Sequence, residues 1–190
     1  MKPHMRVLGI DDSPFTFKEK DVAIIGAAVR LPNYLEGVLR TKVDVDGTDA
    51  TDRLREMVRR SRYMENLAAI LIDGIAVGGF NVIDIEALYT DLGIPVVTVT
   101  RDEPDIKSIE DVLKAKFSDW KKRLDLITGR DLHTVKTEHK PLYVQFVGTE
   151  LSDVEELISK STVLGALPEP IRIAHLIAAA IRTGESHGRA

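Results

Sequence analysis

The chain has 190 residues, 44% of them hydrophobic, and a formal net charge of −4. Its length supports one hydrophobic core and is short for two, so a single domain over residues 1–190 is expected, with a loose tail at 183–190. The absence of cysteine excludes a disulfide scaffold and a thiolate metal site, and fits a reducing, cytoplasmic setting. No apolar run is long enough to span a bilayer, and Met1–Arg6 leads into a strand pattern rather than a signal peptide, so no membrane partner is expected. The acidic balance excludes a purely electrostatic nucleic-acid binder but not a metal nuclease, whose site needs carboxylates. The basic clusters Arg53–Arg55–Arg59–Arg60–Arg62 and Lys121–Lys122–Arg123 read as solvated helix faces.

In chain order, Arg6–Asp11 (RVLGID) is an apolar first strand that ends on acid. Ser13-Pro14 breaks the chain. Asp21–Arg30, continuous and rich in β-branched residues, is a second strand, and Tyr34–Val45 is a third beyond the Leu31-Pro32-Asn33 turn. Their short connections predict an antiparallel meander. Asp46-Gly47 stops the third strand, and Thr48 or Asp49 can cap a helix running to about Arg60. Leu67–Asp73 (LAAILID) is a fourth strand closed by an acid, followed by a glycine-rich turn over Gly74–Gly79. A helix over Val82–Leu92 stops at Gly93, and Val96–Thr100 is a fifth strand. A third helix, continuous or broken, spans Ile106–Ile127. Leu142–Val147 is a late strand, Ser152-x-x-Glu155 reads as a capping box, and Pro170 opens a final helix through Ile181.

The fourth and fifth strands, joined by a helix, should be parallel. The fourth is apolar throughout and belongs in the sheet centre, beside the first. The expected class is therefore α/β, with a mixed five-stranded sheet of order 3-2-1-4-5 flanked by helices, plus the late strand. Two adjacent parallel strands then end on Asp11 and Asp73, where the winding changes and open α/β sheets place ligands. Two carboxylates there can share Mg²⁺ or Mn²⁺, hard ions that combine protein carboxylates with substrate phosphates, and such ions can drive phosphodiester displacement. Glycines after Asp73 would let a backbone approach closely. Asp12 reads either as a further ligand or as a solvated neighbour. The competing reading keeps both strand-end aspartates as caps of the following turns. The turn matches neither nucleotide-binding glycine motif, and no G-x-S-x-G elbow is present. His175 reads as a core residue of the last helix. His133 and His139 flank a strand, and His4 and His187 lie near the ends.

The stretches GIDDSPF (Gly9–Phe15), DGIAVGGFNVIDIEALYTDLGIPVVTVTR (Asp73–Arg101) and PEPIRIAHLIAAAI (Pro168–Ile181) resemble an archaeal domain-of-unknown-function family related to endonuclease V, of the ribonuclease H-like superfamily. The resemblance implies the same 3-2-1-4-5 sheet. It implies metal and catalytic roles for Asp11 and Asp73, the latter opening a D-G stretch. It places Arg101 at a lysine position and maps the family's base-wedging segment onto Asn33–Gly37, retaining Tyr34 and Gly37. Gly74 and Gly78 join these as expected substrate-binding positions. The family's strand-borne glutamate falls at Val43, with Asp44 and Asp46 on the opposite face, and a glycine–histidine pair falls at Pro170-Ile171. Three functions follow as expectations: a divalent-metal nuclease with an incomplete acidic site, a catalytically silent nucleic-acid-binding relative, or a protein-interaction subunit.

Overall fold

A computed structural model describes residues 4–186. Three strands, β1 (Arg6–Asp12), β2 (Asp21–Arg30) and β3 (Tyr34–Asp44), form the antiparallel meander. Helix α1 (Ala50–Arg59) then leads through a short 3₁₀ turn to β4 (Leu67–Asp73), which lies parallel to β1. The glycine-rich turn is itself a miniature hairpin, β5 (Ala76–Val77) with β6 (Asn81–Val82). Helix α2 (Ile85–Leu92) returns the chain to β7 (Val96–Thr100), parallel to β4. Helices α3 (Ile106–Lys116) and α4 (Trp120–Thr128) precede β8 (His133–Val135) and β9 (Leu142–Val147), and α5 (Leu151–Ser161) and α6 (Glu169–Thr183) follow. The large sheet runs β3-β2-β1-β4-β7-β9-β8. The expected five-strand order is its first five members, the fifth expected strand being β7. Among the described residues no helix is long and apolar enough to cross a membrane.

Strand alternation sorts the core into two layers. Leu8, Ile10, Ile24, Ile70 and Ile72 pack against Leu54 and Val58 of α1 and Leu88 of α2. On the other face, Val7, Leu71, Val97 and Val144 meet Leu157 and Ile158 of α5 and Ile171 of α6, while Ile25, Ala27 and Val29 meet Ala174 and Ala178 of α6. Covered on both sides, β1 and β4 read as unbroken apolar runs for this reason.

Several expected details differ. Residues 81–82 belong to β6, and Asp84 caps α2 by accepting the Ala87 N–H at 2.9 Å. The long third helix is two, because Phe117 takes an extended backbone between α3 and α4. The Ser152–Glu155 capping box is not formed: α5 starts at Leu151 with Glu150 at its cap, so both residues lie inside the helix. Strand β8 is only three residues long and contains His133, which was expected to flank a strand. The last helix runs to Thr183, two residues beyond its expected end. His187 lies outside the described residues.

Candidate metal centre at the ends of β1 and β4

The parallel register sets Gly9 beside Leu71 and Ile10 beside Ile72. The next residues, Asp11 and Asp73, therefore end neighbouring strands with their side chains on one face. Helix α6 closes that face. It can come so near because Gly9 has no side chain: a Cβ there would lie 2.0 Å from the Pro170 carbonyl carbon. Small residues Ala174 and Ala178 keep α6 low over β2, and His175 then projects to the strand ends. Its Nδ1 lies 2.8 Å from Asp11 Oδ2. Asp11, Asp73 and His175 each offer one ligand atom within 4.8 Å of the others. Asp11 is buried, while Asp73 and His175 remain half-exposed, which leaves an approach from solvent.

The electrostatics are those of a buried acidic cluster that nearby positive charge only partly offsets. Burial, reinforced by the charges of Asp73 and Asp12, pushes the Asp11 carboxyl up to about 8. Burial also raises Asp73, against the nearby positive charge of Arg101 and the influence of His175. Arg101 follows directly after β7, whose Val99 pairs with Asp73, and its charge also opposes the rise at Asp11. Desolvation raises Asp12 as well, with the Gly78 hydrogen bond working against it. Two carboxyls raised chiefly by burial, beside one imidazole, suit a hard divalent cation whose charge would offset that burial.

The histidine reverses the sequence reading in two ways. His175 is no mere core residue, and the imidazole looked for at Pro170-Ile171 is supplied four residues on. Ile171 itself is buried against the sheet, and one helical turn separates it from His175. Counting helical turns from an apolar contact residue would have found this imidazole; matching residue for residue could not.

The remaining acids are committed elsewhere. Asp12 points to the opposite face from Asp11 and accepts the Gly78 N–H on Oδ2 at 2.6 Å. Asp46 accepts the Phe80 N–H at 2.8 Å, and Asp49 accepts from Asn81 Nδ2 at 2.8 Å and the Asp44 N–H at 3.1 Å. Asp49 thus ties the turn instead of capping α1 with its side chain. Glu36 is held by Arg6 and Arg30. Val43 is 1% exposed and packed in the core, as expected for a strand position that bears no ligand. No third strand-borne carboxylate joins the cluster among the described residues.

These clamps shape the glycine turn. Gly74, Gly78 and Gly79 all have positive φ, and a Cβ at Gly79 would strike Asp46 Oδ1. Arg123, expected on a solvated face, is instead 6% exposed and donates to the carbonyls of Gly47 and Phe80. The Gly78 N–H is used internally, so of the two expected turn positions only Gly74 adjoins the acid pair. Tyr34 and Gly37 are not brought to the site. Tyr34 pairs with Arg30, which pairs with Arg6 at the opposite end of β1 from Asp11, roughly 17 Å along a strand. Gly37 there makes room for Tyr63, whose hydroxyl donates to the Glu36 carbonyl at 2.9 Å.

The sequence matches the family described as Endonuclease dU over residues 3–182. The chain belongs to the Endonuclease dU family. It is 46% identical to a UPF0215 protein of Methanothermobacter thermautotrophicus over 193 residues, covering all of this chain and 94% of that one. A crystal structure of a protein of unknown function from Archaeoglobus fulgidus superposes with a TM-score of 0.84 at 36% identity, over 93% of this chain and 98% of that one. Endonuclease V of Ciona intestinalis, solved with DNA containing an inosine followed by a ribo-adenosine, matches at TM-score 0.57 and 17% identity, over 90% and 83% of the two chains. The catalytic domain of human endonuclease V matches at 0.58 and 18%, over 92% and 81%. The last two similarities establish a shared fold between the Endonuclease dU chain and endonuclease V, which is the architecture the sequence motifs implied.

Proposed function

We propose that this member of the Endonuclease dU family is a divalent-metal-dependent endonuclease that cuts a phosphodiester in DNA carrying deoxyuridine. The observation that carries the reading is the meeting of Asp11, Asp73 and His175 within 4.8 Å at the ends of two adjacent parallel strands. The family description, Endonuclease dU, supports deoxyuridine as the target, and the endonuclease V of Ciona intestinalis, of the same fold, is seen with DNA.

Asp11 and Asp73 would hold Mg²⁺ or Mn²⁺, which when bound polarises a phosphoryl oxygen and lowers the pKa of a ligated water. The chain's own groups prepare that site. Asp11 is fixed by the Asp12 N–H on Oδ1 at 2.8 Å and by His175 on Oδ2. With a proton on Nδ1, His175 donates to Asp11 and steadies its negative charge; without it, the same nitrogen is a ligand atom. Arg101 steadies Asp73 and adds attraction for a phosphodiester. A cytoplasmic location would suit such an enzyme.

The purified protein with Mn²⁺ should nick an oligonucleotide bearing one deoxyuridine. Asp11→Asn and Asp73→Asn, which keep shape but remove charge, should each lower the rate by at least two orders of magnitude. His175→Ala should lower it by roughly 10- to 100-fold. Cleavage that persists in both aspartate variants sinks the assignment. Salt-sensitive binding without cleavage under any metal would instead identify a silent nucleic-acid-binding relative.

A further inference from the structure

The loop over residues 13–20 leaves the end of β1 that carries Asp11, and it puts an aromatic ring into solvent. Phe17 is 65% exposed, yet the ring is held in place. Phe15, packed against the core, meets it edge-on with ring centres 5.5 Å apart. A Cβ at Gly79 would lie 3.2 Å from Phe17 Cε1, so the ring also leans on the glycine turn that follows Asp73. Glu19 accepts from Thr16 Oγ1 at 3.1 Å and from Arg182 of α6 at 2.5 Å, which ties the loop to the helix that carries His175.

The C-terminal end of α3 supplies positive charge to this corner. Lys116 Nζ lies 5.1 Å from the centre of the Phe17 ring. Lys114, about 200° away around the helix, turns to a second ring. Its Nζ lies 5.0 Å from the centre of Trp120, at the start of α4, and Lys121 Nζ lies 5.5 Å from the same centre. Trp120 is half-buried, so part of the indole faces water. Lys18 and Lys20 are exposed in the loop beside Phe17. Three acids of the region are committed to internal partners: Glu110 to Lys114 at 2.6 Å, Asp119 to Arg123 at 2.9 Å, and Asp46 to the Phe80 N–H at 2.8 Å. A chain that is acidic as a whole therefore shows two rings rimmed by lysines around one helix end.

We propose that this corner binds a single-stranded stretch of nucleic acid, with unpaired bases stacked on Phe17 and Trp120 and phosphates drawn by Lys18, Lys116 and Lys121. The proposal rests on the nuclease reading for the kind of partner and adds its form, a strand unpaired beside the cut. Aromatic faces along a positive edge are the parts from which sequence-tolerant single-strand sites are made, because every base has a face to stack. A duplex keeps its bases stacked on one another and offers an exposed ring nothing to cover it. One exposed phenylalanine alone would carry no such meaning. Here the ring is fixed, charged groups surround it, and a second ring with the same company stands at the same helix end. An ammonium over a ring gains a modest attraction at an exposed site, which leaves it free to turn to a phosphate when a base arrives. Phe17 is six residues from Asp11, hence at most about 21 Å away along the chain. A strand that stacks there runs close to the acid pair.

A short oligothymidylate carries no deoxyuridine and, in EDTA, reports binding alone. Its addition should quench the emission of Trp120, the only tryptophan in the chain. The same strand paired with oligodeoxyadenylate should bind roughly 10-fold more weakly or worse, since its bases are already stacked. Phe17→Ala should weaken single-strand binding by roughly 5- to 100-fold, and Phe17→Tyr, which keeps a ring, should stay near the parent. Phe17→Leu keeps an apolar side chain against Gly79 without a ring, and it should lose as much as Phe17→Ala. Lys116→Gln should reduce the slope of log affinity against log salt by roughly 0.7. Equal affinity for single strand and duplex, unchanged Trp120 emission at saturation, or parental binding by both Phe17→Ala and Phe17→Leu overturns the proposal. Failure of every strand to bind at low salt also overturns it and leaves the rings to a protein partner. A Phe17-dependent preference for single strands in a protein that cuts nothing with Mn²⁺ would defeat the nuclease reading alone. Cleavage of deoxyuridine DNA by a protein whose strand affinity ignores Phe17 would defeat this proposal alone.

Discussion

Asp11 holds the least comfortable charge in the molecule. Burial and two acidic neighbours raise its pKa from 3.8 to about 8, so between these values the folded chain keeps a proton that the unfolded chain releases. Folding stability contributed by this group is therefore undiminished below about pH 4, declines as pH climbs, and is fully lost above about 8. Metal-free Asp11→Asn should accordingly be more stable than the parent at pH 8.5, by up to a few kcal/mol since each pKa unit is worth about 1.4 kcal/mol. That gain should vanish near pH 4. Urea unfolding at the two pH values in EDTA checks it, and a destabilised variant at pH 8.5 would contradict the electrostatic account. Asp11 and Asp73 were legible in the sequence because each ends an apolar run and strand pairing follows from connection length. His175 was not, since an imidazole on an apolar helix looks the same whether it faces core or carboxylate.

At the scale of elements, the pairing of α6 with β1 decides whether the site exists. Gly9 is required for contact rather than conformation, for its φ is not among the positive ones. Gly9→Ala would put a methyl group 2.0 Å from the Pro170 backbone, with no flexible side chain to yield. Helix α6 must then lift or tilt, at a cost of about 1–3 kcal/mol or more, and His175 moves with it. The expected result is a lowered urea midpoint together with a lost response to Mn²⁺; an unchanged midpoint would show that α6 does not sit as described. Sequence periodicity located the strands of this layer well, because strands covered on both faces are unbroken apolar runs. It failed at the Ser152–Glu155 box, where Ser and Glu at helical spacing lie within α5 and not at its start. It allowed a break between α3 and α4 without locating it, because the break at Phe117 is apolar and carries no proline or glycine.

Over the whole molecule, a net charge of −4 means that, on the nuclease reading, attraction for DNA would fall to local groups and a bound cation. A cation that binds only the folded chain must stabilise it by mass action. Mn²⁺ at 100 times its Kd should raise Tm by on the order of 5–10 °C, and the rise should be absent in Asp11→Asn and Asp73→Asn. Calorimetric scans with and without metal provide the measurement, and an equal rise in all three proteins would place the ion elsewhere. The order of the first five strands was legible because each connection permits one arrangement. The addition of β9 and β8 at the far edge was not, since β9 joins β7 from across the α3–α4 insertion. The contact between His175 and Asp11 closes a separation of 164 residues, and closing so long a loop comes late in folding. The meander can pair as soon as it is made, and the apolar layers can gather around it, while the carboxylates still lack their imidazole. On the nuclease reading, a chain emerging from the ribosome would carry an incomplete site until its last helix docks. After refolding from urea, competence for metal should return more slowly than the bulk of secondary structure.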